Sequence, residues 1–284
     1  MKICKTIDDM RAVSRTARHA GQRLGFVPTM GALHEGHLSL IHAAKATCDV
    51  VAVSIFVNPL QFAPNEDLAK YPRTLKRDRE LLEKEAVHIL FAPTLDEMYP
   101  AGAVTYVTVE GLSEKLCGRS RPGHFRGVTT VVAKLFHIVE PAVAFLGQKD
   151  AAQATIIRRM VRDLNLPVEI LVCPIVREPD GLAMSSRNAY LNPQERKSAL
   201  VLHRSLTDVR NRFDQGEQNA ATLIEAGRQV LAEEPAVRLD YLEIVDPLTL
   251  DPMRELTSNA LVAVAGFVGN TRLIDNVLLL PERM

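Results

Sequence analysis

Gly25-Phe26-Val27-Pro28-Thr29-Met30-Gly31-Ala32-Leu33-His34-Glu35-Gly36-His37-Leu38 runs from a short apolar stretch through a glycine-bearing turn into a segment, Leu38 to Ala46, with apolar residues at helical spacing. A second apolar run, Val50 to Val57, follows at once. Strand, turn, helix and strand make one βαβ unit, and the texture repeats: His88 to Phe91, Val143 to Leu146 and Val168 to Cys173 read as strands. Leu75 to Lys84, Val128 to Val139 and Ala151 to Leu164 read as the helices between them. This alternation predicts a parallel sheet with helical crossovers, hence an α/β fold. Ligands of such sheets bind where the strands end, so the loops after the strands are where chemistry is expected.

After Arg177 the sequence turns to EPDGLAMSSRNAYLNP, rich in turn-formers, and then to a helix-rich region from Gln194 to Glu233. Apolar runs at Leu239 to Val245, Leu261 to Val268 and Arg272 to Leu280 read as a small sheet beside those helices. The spacing therefore predicts a first domain over 1–176 and a smaller α+β domain over 177–284. A chain of 284 residues is long enough for two such cores.

Lys plus Arg and Asp plus Glu balance at 34 each, so no global positive field draws a nucleic-acid backbone. The apolar runs fall far short of a membrane span and MKICKTIDDM lacks a signal-peptide core, which reads as cytoplasmic. Cys4, Cys48, Cys117 and Cys173 are too dispersed for a CxxC zinc site or a disulfide framework and read as buried reduced thiols.

Two segments carry chemistry. In Pro28 to His37, two histidines flanked by glycines sit where a strand hands over to a helix, a place suited to a phosphate. The H-x-x-H spacing is not that of the H-E-x-x-H zinc helix. In Ala183-Met184-Ser185-Ser186-Arg187-Asn188, two hydroxyls and a guanidinium can hydrogen-bond phosphate oxygens, although alone the segment is an ordinary polar turn. Neither G-x-x-x-x-G-K-[ST] nor G-x-G-x-x-G occurs, which argues against γ-phosphoryl transfer and dinucleotide binding.

Together the two segments resemble the signatures of the nucleotidylyltransferase and class I aminoacyl-tRNA synthetase superfamily, whose members attack the α-phosphate of ATP. Further segments narrow it: Ser54 to Phe62 (SIFVNPLQF), Tyr71 to Thr74 (YPRT), Arg121 to Val128 (RPGHFRGV), Phe145 to Asp150 (FLGQKD) and Arg272 to Asn276 (RLIDN). In order and spacing these resemble the pantothenate synthetase family, over about Phe26 to Leu191 and again at Arg272 to Asn276.

That resemblance implies a Rossmann-like domain with a smaller lid domain. It implies ATP and Mg2+, a homodimer, and condensation of pantoate with β-alanine through a pantoyl adenylate. It places ATP on Met30, Gly31, Ala32, Leu33, His34, Glu35, Gly36 and His37, on Gly147, Gln148, Lys149 and Asp150, and on Val176, Met184, Ser185, Ser186 and Arg187. His37 would be the proton donor, with His34, Lys149, Ser185, Ser186 and Arg187 completing the catalytic set. Gln61 and Gln153 would bind pantoate, and Gln61 also β-alanine; Asp78 and Asp150 are candidate magnesium ligands. Gln148 stands where many relatives carry glutamate. The alternatives are another small-molecule nucleotidyltransferase and an idle nucleotide- or RNA-binding module.

Overall fold

The computed structural model describes residues 1–64 and 66–281. Along the chain lie β1 (Lys2–Cys4), α1 (Ile7–His19), β2 (Leu24–Thr29), α2 (Glu35–Thr47), β3 (Val50–Ile55), α3 (Leu75–Lys84), β4 (Ile89–Phe91), α4 (Leu95–Met98), α5 (Cys117–Ser120) and α6 (His124–Val139). There follow β5 (Val143–Gly147), α7 (Ala151–Asp163), β6 (Glu169–Cys173), α8 (Pro193–Asp214), α9 (Ala220–Ala232), β7 (Val237–Val245), β8 (Ala260–Val268) and β9 (Thr271–Leu279). Contacts divide the chain into two units. The first is Met1–Ser113, Arg121–Gly147 and Ile156–Pro174; the second is Glu114–Ser120, Gln148–Thr155 and Ile175–Met284.

The first unit is built on a six-stranded sheet in the order β1-β4-β3-β2-β5-β6, every pair parallel. Its inner strands are apolar on both faces, as helical crossovers require: Leu24 to Val27 and Val50 to Val53 are all buried. From α2, Leu38, Ile41 and Ala44 pack with Val27, Val51, Val53 and Phe145 in one core. The chain steps from β2 through β3 to β4 and then returns to lay β5 on the other side of β2, with Gly25 opposite Val143. The loops leaving β2 and β5 therefore begin side by side, at the switch point where parallel sheets bind ligands.

All five strands expected here form. The sheet also has a sixth, β1, and a helix, α1, that the hydrophobic pattern did not announce. β1 is only three residues long, and α1 is a mostly polar helix that buries Met10, Ser14 and Ala17.

In the second unit β7, β8 and β9 form an antiparallel meander on which α8 and α9 pack. Leu202, Leu206 and Val209 of α8 and Leu223 of α9 meet Leu242, Ile244, Val262 and Val264 of the sheet in one core. The short segments Glu114–Ser120 and Gln148–Thr155 also lie in this unit, and they make polar contacts within it. Lys115 pairs with Asp251, Arg119 with Glu243, and Ser120 donates to Asp240. All four cysteines are free, Cys4, Cys117 and Cys173 buried and Cys48 half-buried.

Candidate active site

The turn after β2 is held from beneath by one carboxylate. Gly31 and Ala32 take left-handed backbone, with φ of +84° and +51°. At Gly31 an added Cβ would come within 3.0 Å of both Asp78 Oδ2 and Ile55 Cγ2, so glycine meets two demands there. The N–H groups of Ala32 and Leu33 then donate to Asp78 Oδ2 and Oδ1, each at 2.9 Å, and Thr74 Oγ1 donates to Oδ2 at 3.1 Å. Asp78 is fully buried. Its two oxygens carry three hydrogen bonds, with which Asp78 shapes the turn. Leu33, 1% exposed, is core.

His34 caps α2. Its Nδ1 accepts the Gly36 N–H at 3.1 Å, while its own N–H points to His37 Nδ1 at 3.3 Å. The two rings lie 4.2 Å apart between centroids. A ring nitrogen that accepts an N–H carries no proton, so in both neutral imidazoles the proton sits on Nε2, which is the donating atom. Two Nε2 donors at a helix N-terminus, where the helix dipole is positive, suit the phosphates of a nucleotide.

Gln61 ends a 3-10 turn, Pro59–Gln61, whose orientation is set by a chain of hydrogen bonds. Buried Asn58 accepts Leu60 N–H and the Tyr99 hydroxyl on Oδ1 and donates from Nδ2 to Gly127 O, which fixes which way its amide faces. The same Nδ2 donates to Gln61 Oε1 at 3.0 Å. Gln61 Nε2 then faces Met30 Sδ at 3.2 Å as the donor end of the amide. The turn lies so close to α6 that a Cβ on Gly127 would sit 2.2 Å from Leu60 O.

Arg121, which precedes α6, donates to both oxygens of Glu66 and to Gln61 O. His124 Nδ1 lies 2.9 Å from Gln61 O and its Nε2 3.0 Å from Arg121. A carbonyl only accepts and a guanidinium only donates, so His124 is neutral with its proton on Nδ1. Burial alone would raise the Glu66 carboxyl, but the Arg121 hydrogen bonds and charge outweigh it and hold it below the ordinary carboxylate range. Asn58, Glu66, Tyr99, Arg121, His124 and Gly127 were given no role from the sequence, although most of them lie in its family-like stretches; their common target, the Gln61 turn, is visible only in three dimensions.

In the second unit, Asn276 Nδ2 donates to the carbonyls of Gln148 and Lys149 at 2.9 and 3.0 Å, and its Oδ1 accepts Gln148 Nε2 at 3.3 Å. Its neighbour Asp275 takes Arg177 in a bidentate pair, at 2.7 and 3.0 Å. Arg177 opens a hairpin in which Val176 O accepts Met184 N–H and Gly181 O accepts Arg177 Nη1. Glu178 holds Asn188 Nδ2 and Arg196. Ser185 caps the 3-10 turn Ser186–Tyr190, accepting Arg187 N–H on Oγ. Lys149 and Ser185 line one small cleft with Asn188 and Asp275. The structure thus brings together the two expected phosphate-binding segments of this unit.

Asp150 lies 3.9 Å from Lys149 Nζ and its side chain is 48% exposed. Magnesium that binds chiefly through nucleotide oxygens needs only one or two protein carboxylates, and the exposed Asp150 and the buried, hydrogen-bonded Asp78 were the two expected from the sequence. Among the described residues no cluster of three or more His, Cys, Asp or Glu side chains forms a metal cage. Gln153 is half-buried on the first turn of α7.

Residues 2–278 match the family model described as pantoate-beta-alanine ligase. The pantothenate synthetase of Koribacter versatilis (strain Ellin345) is 60% identical over 279 residues, covering 98% of this chain and 96% of that one. The crystal structure of pantothenate synthetase from Thermus thermophilus superposes with a TM-score of 0.93 at 48% identity, covering 98% and 99% of the two chains. That of pantoate-beta-alanine ligase from Francisella tularensis, complexed with beta-gamma ATP and beta-alanine, does so with a TM-score of 0.78 at 35% identity over 98% and 97%. With its sheet order, its paired histidines at the switch point and these likenesses along nearly its whole length, the chain belongs to the pantoate-beta-alanine ligase family.

Proposed function

We propose that the residues described above perform the family's reaction: ATP-dependent formation of the amide between pantoate and β-alanine, releasing AMP and pyrophosphate. The observation that carries the assignment is the shared orientation of His34 and His37, whose Nδ1 atoms face backbone N–H groups and whose Nε2 atoms are donors at the start of α2.

In the first step a pantoate carboxylate oxygen attacks the α-phosphorus of ATP, and the bond to the bridging oxygen breaks with its electron pair. Negative charge grows on the departing pyrophosphate. The Nε2–H groups of His34 and His37, Lys149, Ser185, Ser186 and Arg187 are assigned to meet that charge, with His37, expected from the resemblance as the proton donor, offering its Nε2–H as a hydrogen bond to the leaving oxygen. Gln61 presents its Nε2 end toward a pantoate oxygen, the orientation Asn58 imposes, and Gln153 is assigned to the same substrate. In the second step the β-alanine amine attacks the acyl carbon of the mixed anhydride, AMP leaves with the bonding pair, and the amine loses a proton. Magnesium, when bound, would offset phosphate charge, with Asp150 as its protein ligand.

The remaining roles on Met30 to His37, Gly147 to Asp150, Val176 and Met184 complete the nucleotide site. Ala32 and Leu33 contribute through the turn, since their N–H groups serve Asp78. The second unit would act as a lid that keeps water from the adenylate. A homodimeric, cytoplasmic enzyme is part of the same reading, supported by family resemblance.

The test is product analysis by mass spectrometry with ATP, pantoate and β-alanine, omitting each acid in turn. Pantoate and ATP alone should release one pyrophosphate per site, with steady release only after β-alanine is added. An absolute requirement for β-alanine before any pyrophosphate appears would overturn the two-step order.

A further inference from the structure

β9 reads as an apolar run, yet it carries two adjacent polar residues, Asp275 and Asn276, that are 4% and 3% exposed. Burying a carboxylate and an amide in a strand is unfavourable unless their hydrogen bonds are made, and here they are. Successive side chains leave a strand on opposite faces, so the dipeptide reaches two different loops. Asp275 takes Arg177, whose Nη1 also holds Gly181 O at the tip of the hairpin leading to Met184–Arg187. Asn276 takes the main chain of Gln148 and Lys149. Asp275 Oδ1 also accepts the Asn276 N–H at 2.7 Å, which joins the two halves.

We propose that Asp275 and Asn276 are positioning residues for the nucleotide half of the reaction, one fixing the loop that carries Ser185 to Arg187 and the other fixing Lys149 through its backbone. The inference rests on the reading that Lys149 and Ser185 to Arg187 meet the phosphates of ATP. The side chain at 148 joins the same contact. Asn276 Nδ2 donates to the carbonyls of Gln148 and Lys149, which fixes which way its amide faces, and its Oδ1 accepts Gln148 Nε2 at 3.3 Å.

The experiment compares Asn276→Ala and the isosteric Asn276→Asp, alone and combined with Lys149→Ala, by pantoate-dependent pyrophosphate release and by KM for ATP and for pantoate. Arg177→Lys tests the Asp275 arm in the same assays. Each single variant should slow release about tenfold or more, the scale of a misplaced charge at a reacting phosphate, and raise KM for ATP while leaving KM for pantoate within about twofold. In the Lys149→Ala background the Asn276 substitutions should lose most of their effect, because they act through that side chain. Fully multiplicative effects, equal rises in both KM values, or loss of the fold in both Asn276 variants would overturn the proposal and make the pair a support of the sheet. If Lys149→Ala itself leaves release and KM for ATP unchanged, the assignment of Lys149 fails instead.

Discussion

His34 and His37 stand 4.2 Å apart between ring centroids, each turning Nδ1 to a backbone N–H group. Capping and chemistry thus use different atoms of the same rings, and substitution can separate them. Asparagine is a favoured N-cap, so His34→Asn should keep thermal stability within about 0.5 kcal/mol while His34→Ala loses about 1 kcal/mol. Both should slow adenylate formation about tenfold or more, and His37→Ala about a hundredfold or more. Melting curves and rapid-quench pyrophosphate assays read the two effects separately. A fully active His34→Asn would leave residue 34 with the cap alone.

The Gln61 turn offers a second separation. Removing the amide in Gln61→Ala should raise KM for pantoate about tenfold, the value of a lost hydrogen bond of about 1.4 kcal/mol, with KM for ATP little changed. Gly127→Ala touches no substrate, but its Cβ would meet Leu60 O at 2.2 Å and push the turn off α6. It should destabilise the protein by about 1–3 kcal/mol and raise KM for pantoate as well. An unshifted KM in the folded Gly127→Ala protein would show that the turn is not where pantoate is read.

Asp78 gives a test of structure against metal binding. Asp78→Asn replaces one accepting oxygen by an NH2 group that confronts a backbone N–H, which should cost about 1–3 kcal/mol. The magnesium concentration giving half-maximal activity should not move. For Asp150→Asn the expectation is reversed: stability unchanged and magnesium dependence shifted upward. Titrations of activity with MgCl2 beside urea melts distinguish the two.

Much of this was legible in the sequence, for definite reasons. The inner strands are short, mostly apolar runs because both their faces are covered, and β8 shows a similar run. The H-x-x-H turn was visible from its glycines. The role of Asp78 was not, because its partners, Ala32 and Leu33, lie 46 and 45 positions away, and a carboxylate taken up by main chain looks in sequence like any other. Asp275 and Asn276 lay in the family-like stretch Arg272 to Asn276, but their partners, Arg177, Gln148 and Lys149, are about a hundred or more positions away. Glu114–Ser120 and Gln148–Thr155 escaped a division made along the sequence because they join the second unit only through contacts distant in the chain.

Glu66 gives the protein a distinct acid response. Its folded carboxyl is held below its ordinary value of 4.5, so its ion pair with Arg121 contributes fully above that value and is lost as pH falls through the lower folded one. Urea melts across this acidic range should show stability falling more steeply in the parent protein than in Glu66→Gln, whose curve starts lower near neutrality and is flatter. Parallel curves would mean that the carboxylate and guanidinium do not pair in solution.

The pairing of Gly25 with Val143 also has a consequence for how the molecule comes into being. β2 can join β3 almost as soon as both exist, but the seam against β5 must wait until the chain has been made as far as Val143, and β1 likewise waits for Ile89 to Phe91. During synthesis one side of β2 is thus an unsatisfied edge, open to wrong partners until β5 arrives. The switch point beside β2 is among the last features of the sheet to close, so a nascent chain stalled before Val143 would hold both histidines and yet lack the strand that pairs on the far side of β2.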